Sequence, residues 1–223
     1  MAKFKITPIP MKSLKKTENT LFPMPLRSLI VGSSGCGKTT LLWNIITKNW
    51  LPYKKLYVFS KSIDQPIYDK LSHYYDDIQE DEQIAYFYDK CEDIVSVDDC
   101  ESNSLIIFDD CILESQSPIK EYFVRGRHKN ISCMYISQCF SLVDLKTIRN
   151  NLNYLCIFKQ NECYIKSIYD NIVGSDMTLN VFRTLCHRCW KRDYGFLTID
   201  LSRKMNEGRY KIMFEEVIEK NNP

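Results

Sequence analysis

The chain has 223 residues, a formal net charge of +2, 44% hydrophobic residues and 26% charged residues. That length suits one α/β domain that buries roughly 70% of its unfolded surface, and the composition is that of an ordinary globular protein. No apolar run approaches the roughly 18 residues of a membrane span. Met1–Ile6 lacks the apolar core of a signal peptide, so secretion is not expected.

Residues 1–25 hold four of the eight prolines, and the first 17 residues carry five lysines and no acid. They read as an extended basic arm, with a single domain over 26–223. A short apolar strand, Arg27-Ser28-Leu29-Ile30-Val31, follows. It runs into Gly32-Ser33-Ser34-Gly35-Cys36-Gly37-Lys38-Thr39, a complete G-x-x-x-x-G-K-[ST] phosphate loop, and then into an apolar-periodic helix over 38–49. Glycines at these positions let successive backbone N–H groups converge on one anion, and the helix N-terminus adds partial positive charge. Residues 32–39, with Thr40 after them, are therefore the expected contacts of a nucleoside triphosphate. Lys38 is expected to reach the β- and γ-phosphates, and the Thr39 hydroxyl to ligate Mg2+. The bland alternative is a glycine-rich turn that binds nothing.

Lys55–Ser60 reads as the second strand and Pro66–Tyr74 as a helix. Next comes an acidic surface stretch, Asp76–Glu101, with eleven acids, one lysine and a short apolar run at Ile84–Tyr88. Ser104–Asp109 is the plainest strand. Its apolar residues predict a buried central position that delivers Asp109 and Asp110 at the carboxyl end. Asp109 is expected to hold a Mg2+-coordinated water beside Thr39, and Asp110 to orient or deprotonate the attacking water. A capped turn is the plain alternative for such a pair of acids. A helix near Ile119–Val124 leads to Arg125-Gly126-Arg127-His128, where one guanidinium could enter a neighbour's ATP site. Ordinary surface arginines are the competing reading, and the residues alone do not say which arginine would act. The strand Ile131–Ser137 ends at Gln138, placed to sense the γ-phosphate or position water, with Ser137 beside it. A structural loop hydrogen bond is the alternative for Gln138.

Asn153–Phe158 predicts another strand, 161–190 a helix-rich stretch, and 195–200 with 209–214 a terminal hairpin. Apolar strands alternating with helices indicate a largely parallel sheet covered on both faces. Ten scattered cysteines read as buried free thiols. Cys186-His187-Arg188-Cys189 has zinc-like spacing without a second pair, so a packed helix is expected there. The basic arm and the basic groups at Arg125, Arg127, Lys129, Arg183, Arg188, Lys191 and Arg192 suit phosphate backbones, and the acidic stretch is expected to face away from them.

Together these motifs resemble the FtsK/HerA superfamily of DNA-pumping ATPases, specifically the poxvirus A32-like genome-packaging ATPases of large double-stranded DNA viruses and virus-like transposons. The resemblance rests on the phosphate loop, Leu105–Asp110, Arg125–His128 and the strand ending in Ser137-Gln138, within about residues 26–160. It implies a P-loop NTPase of RecA/FtsK-like fold, with a mostly parallel central sheet flanked by helices. It implies ATP and Mg2+ as cofactors, with Lys38 and Thr39 as nucleotide and metal contacts, Asp109 as the metal-coordinating acid and Asp110 as the catalytic carboxylate. Gln138 would be the sensor, and Arg127 or Arg125 the trans-acting finger. The implied partners are double-stranded DNA, further copies in a ring, usually a hexamer, and a capsid protein. The implied setting is the host cytoplasm or nucleus and the virion. Cellular relatives often carry glutamate where Asp110 stands. The alternatives are a helicase or other DNA-processing ATPase, a small nucleotide kinase, and a non-catalytic nucleotide-dependent scaffold.

Overall fold

A computed structural model describes residues 21–78, 82–90, 93–143 and 146–218. The lysines of the basic arm and Glu80, Asp81 and Glu92 of the acidic stretch lie outside them. In chain order the main elements are β1 (Arg27–Val31), α1 (Lys38–Thr47), β2 (Leu56–Ser60), α2 (Pro66–Ile78), β3 (Ala85–Tyr88) and β4 (Leu105–Asp109). There follow α3 (Gln116–Arg125), β5 (Ser132–Ser137), α4 (Thr147–Asn151), β6 (Tyr154–Ile157), α5 (Glu162–Ile168) and α6 (Leu179–Cys189). The chain closes with β7 (Leu197–Asp200), β8 (Tyr210–Ile212) and β9 (Glu216–Val217).

The nine strands among the described residues form one sheet in the order β3-β2-β4-β5-β1-β6-β7-β8-β9. Pairing is parallel from β3 across to β6 and antiparallel from β6 through β9. The central strands are mainly apolar and almost wholly buried because both faces are covered. Alternate residues feed two separate cores, as the twofold side-chain period requires. Ile106 and Phe108 of β4 share one core with Ile119, Tyr122 and Phe123 of α3, and this core continues to Phe182 of α6. Leu105 and Ile107 pack with Leu42 and Ile45 of α1 and with Tyr68 and Leu71 of α2.

Local signals place the helices. Tyr68, Leu71 and Tyr75 recur on the buried face of α2, which Pro66 opens at a position where a missing N–H costs nothing. The buried Tyr75 carries this helix past Tyr74, where periodicity alone ended it. The Thr178 hydroxyl accepts from the Val181 N–H and caps α6, which buries Phe182, Leu185, Cys186 and Cys189. The zinc-like quartet is thus part of a packed helix, with His187 turned outward to Glu162 at 3.2 Å. All nine cysteines among the described residues are free thiols, and most are buried.

Two features of the acidic stretch depend on distant partners. The apolar run in the acidic stretch is an edge strand, β3, paired with β2 and stacked on it through Tyr57–Tyr86 and Phe59–Tyr88. The acidic stretch also lies against the basic segment that precedes β5. Asp98 takes Arg125 Nη2 at 2.7 Å and its backbone carbonyl takes Lys129 Nζ at 2.5 Å, because opposite charges brought side by side neutralise each other. Within residues 21–25, Phe22 is 3% exposed and sits edge-on to Tyr154 and Phe214. Among the described residues no helix is long and apolar enough to cross a membrane.

Candidate nucleotide site

The phosphate loop follows β1, the acidic pair ends β4, and Ser137-Gln138 ends β5. All three therefore lie at the carboxyl edge of the parallel strands, where open α/β sheets bind ligands. Since β5 lies between β1 and β4, Gln138 emerges between the loop and the acids. Register fixes the levels, with Val31 opposite Ser137 and Asp109 opposite Ile136. The Gly32 N–H donates to Ser137 O and the Ser33 N–H to Lys159 O, each at 3.3 Å, which ties the loop to the ends of β5 and β6.

Two of the loop glycines are structurally required. A Cβ on Gly32 would stand 2.5 Å from both Cys36 Sγ and Phe158 Cβ. Gly37 has φ +106°, and a Cβ there would meet Tyr194 Cδ1 at 2.7 Å. Lys38, buried at the start of α1, folds back over its own loop. Its ammonium donates to Gly32 O at 2.7 Å and Ser33 O at 2.9 Å. The loop's own carbonyls thus hold the ammonium at the loop.

Asp109 is 8% exposed. The Tyr68 hydroxyl donates to its Oδ2. Burial pushes the Asp109 carboxyl above its ordinary range and the Tyr68 bond pulls it back. Asp110 adds to the rise and Lys38 opposes it. Burial and the neighbouring Asp109 push the Tyr68 hydroxyl far up, so it stays a donor. Asp110 is exposed, has φ +55°, and accepts from Ser62 Oγ at 2.9 Å. Ser137 is spent on its own turn, donating to Cys139 O at 3.1 Å. Gln138 is exposed to the cleft, and its carbonyl takes Gln160 Nε2 at 3.4 Å.

One cleft of about 350 Å³ gathers Ser34, Gly35, Gly37, Lys38, Thr39, Thr40, Asp109, Asp110, Ser137 and Gln138, with Gln65 and Tyr194 added. Gly32, Ser33 and Cys36 belong to the same loop but do not line the cleft. Arg125 and Arg127 are elsewhere. They precede β5 and so stand at the amino edge of the sheet, where burial depresses the Arg27 pKa, Cys133 opposes that fall, and Arg127 is close enough to add a smaller depression. At about 3.3 Å per residue, the length of β1 separates that edge from the cleft by roughly 15 Å. Arg125 is also committed, holding both oxygens of Asp98 at 2.7 and 2.9 Å and pairing with Glu121. Arg127 is exposed and makes no ion pair among the described residues.

A family profile described as "Poxvirus A32 protein" matches residues 13–211. The chain belongs to the poxvirus A32 protein family. This A32-family chain is 26% identical over 149 residues to the DNA packaging protein OPG160 of variola virus, covering 62% of this chain and 54% of that protein. It is 26% identical over 153 residues to the vaccinia virus (strain Copenhagen) protein of the same name, covering 64% and 56%. It therefore spans about half the length of the curated relatives it matches. Among solved structures, it is similar to the genome packaging NTPase B204 from Sulfolobus turreted icosahedral virus 2 in complex with sulfate. That match has a TM-score of 0.62 and 16% identity and covers 87% of this chain and 98% of that one. The ATP-gammaS complex of B204 matches with a TM-score of 0.57 and 14% identity over 87% and 99%. At these identities the likeness is one of fold, and that fold is the mostly parallel P-loop NTPase sheet expected from the motifs.

Three features of the A32-family site escaped the sequence. Ser62 and Tyr68 follow β2 and reach across to Asp110 and Asp109. Tyr194 arrives from the turn after α6 to cover Gly37. None belongs to a local pattern, so only a pairing of distant segments could have found them. Arg183 pairs with Glu162, and Arg188 and Arg192 both hold Glu216, so these basic groups are engaged within the chain.

Proposed function

We propose that this chain is an ATP-hydrolysing motor that translocates double-stranded DNA and packages a viral genome into a preformed capsid. The observation that carries the reading is the meeting of Lys38 and Asp109 in one cleft, with Gln138 between the phosphate loop and the acidic pair. The printed functions of the relatives, DNA packaging and genome packaging, point the same way.

In this reading the backbone N–H groups of residues 33–39 surround the phosphates. Lys38 reaches the phosphate oxygens, a pairing in which both partners are charged. Thr39 and Asp109 would hold Mg2+, which suits a site of one hydroxyl and one carboxylate completed by phosphates and water. Among the described residues no cluster of three His, Cys, Asp or Glu side chains could cage a metal by itself. The ion would supply charge neutralisation at the phosphates. Tyr68 fixes the Asp109 rotamer. Asp110, steadied by Ser62, receives the proton of the attacking water or orients it, and Gln138 positions that water against the terminal phosphate. Arg127, a strand length away on the opposite edge, serves the cleft of a neighbouring copy and not its own. That role calls for a closed ring, for which a hexamer is the family pattern. The lysines of residues 3–16 contact DNA phosphates or a capsid protein, and the protein works in the host cytoplasm or nucleus and in the virion.

The test is the ATPase rate with and without long duplex DNA, with particle mass followed in parallel. Stimulation by DNA in a multimeric particle is expected. Nucleotide binding without hydrolysis, or phosphate transfer to a small nucleotide instead, would overturn the reading in favour of a scaffold or a kinase, and hydrolysis indifferent to DNA would overturn the motor.

A further inference from the structure

The turn between β2 and α2 reaches the phosphate cleft and is held against the acidic pair. The Ser62 N–H donates to Ser60 Oγ at 3.1 Å, and the Ser62 hydroxyl to Asp110 Oδ2 at 2.9 Å. Lys61 Nζ lies 3.4 Å from Glu114 Oε1, which ties the same turn to the loop after β4. The Gln65 N–H donates to Ser62 O at 3.1 Å, and the Gln65 carbonyl accepts from the Tyr68 N–H at 2.9 Å as α2 begins. The backbone of Gln65 is therefore fixed on both sides.

Its side chain takes no part in that scaffold. Among the described residues the Gln65 amide makes no hydrogen bond, and it lines the cleft with Thr39, Asp109 and Asp110. It also lines an adjoining groove with Thr39, Thr40 and Trp43, which places it beside the start of α1. Gln65 and Tyr68 are three residues apart, a spacing that sets both on one helix face. Tyr68 donates to Asp109 from that face, and Gln65 lies one turn nearer the cleft.

We propose that Gln65 is a positioning residue of the metal site, its side-chain carbonyl accepting from a water bound to the nucleotide's Mg2+. The inference rests on the nucleotide reading above and deepens it. Mg2+ demands a near-octahedral array of oxygens and keeps several of its waters. One hydroxyl, one carboxylate and phosphate oxygens leave such waters in the site, and their hydrogens need acceptors. Asp109 and Asp110 each already accept from a protein hydroxyl, Tyr68 and Ser62 respectively. Gln65 brings a neutral acceptor to the Thr39 side of the cleft without adding charge to the acidic pair. Outer partners of this kind orient what the metal binds.

The experiment measures the affinity of the non-hydrolysable analogue AMPPCP by calorimetry, in magnesium and in EDTA, for the full chain and two variants. The ratio of the two affinities reports how much tighter the bound nucleotide holds Mg2+ than the free one does. Magnesium should strengthen binding in the parent chain. Gln65→Met keeps the length of the side chain and removes its acceptor. It should lower the ratio by about 10-fold, the lower end of the range for loss of an outer partner of a metal, with affinity in EDTA unchanged. Gln65→Glu keeps the acceptor and should hold or raise the ratio. Gln65 is exposed, so both variants should fold, and a thermal melt checks this. An unchanged ratio in Gln65→Met, equal weakening with and without magnesium, or a ratio lowered in Gln65→Glu overturns the role at the metal. Lys38-dependent binding of AMPPCP would then still support the nucleotide reading. Failure of the folded parent chain to bind AMPPCP under either condition overturns both.

Discussion

Tyr68→Phe removes one oxygen atom and keeps the ring, so it isolates the hydroxyl that Asp109 accepts. Tyr68 is 2% exposed and packs among the residues under α1 and α2, and phenylalanine fills that space equally well. Asp109, itself 8% exposed, has little water to replace the lost donor. A hydrogen bond to a charged group is worth about 1.5–3 kcal/mol. In a domain of this size that corresponds to a fall of roughly 3–12 °C in Tm. The bond favours the ionised carboxylate, so the loss should be full at pH 8, where Asp109 is charged. It should shrink as pH falls through its raised folded value. Urea unfolding of both proteins at pH 8 and near pH 4 measures this directly. ATPase turnover should fall together with stability at pH 8, because Asp109 loses the contact that orients it. A loss that is the same at both pH values, or below about 0.5 kcal/mol at pH 8, would refute the view that Tyr68 holds an ionised Asp109.

Asp109→Asn should abolish hydrolysis yet raise the melting temperature at neutral pH. Burial raises the folded-state value above the unfolded one, so the parent chain loses stability as pH rises between the two, and the amide removes that slope while still accepting from Tyr68. Thermal melts from pH 4 to 8 read it. Lys38→Ala should eliminate ATP hydrolysis, measured by phosphate release. Arg127→Ala should retain nucleotide binding but not turnover, and mixing it with Lys38→Ala protein should restore activity if mixed rings form. Gly32→Ala should destabilise the chain by about 1–3 kcal/mol and prevent nucleotide binding, because the added Cβ has no room against Cys36 and Phe158. Calorimetry and chemical denaturation check the two effects separately.

What could be read along the chain were features carried by contiguous residues. The eight-residue phosphate loop is one, because its geometry needs neighbours in sequence. The buried strands are another, since both faces of a central strand must be apolar. The carboxylates at the end of β4 followed from the same strand pattern. The edge strand β3 was hidden because its pairing with β2 is decided by a partner far away, and its acidic flanks resemble free surface. Arg125 looked equivalent to Arg127 until Asp98, which precedes it by a long stretch of chain, was found against it.

The primary structure by itself determined that a phosphate-binding loop, an acidic strand end and a glutamine-tipped strand exist and that the sheet is mainly parallel. Tertiary structure decided their order across the sheet. By inserting β5 between β1 and β4 it set Gln138 in the cleft and sent Arg127 to the far edge. It also chose Ser62 and Tyr68 to steady the two carboxylates and Tyr194 to cover Gly37. The physical reason is range. Propensity and hydrophobic period act over a few neighbouring residues, whereas a buried carboxylate's donor and a pocket's wall come from whichever segments the packed sheet brings alongside.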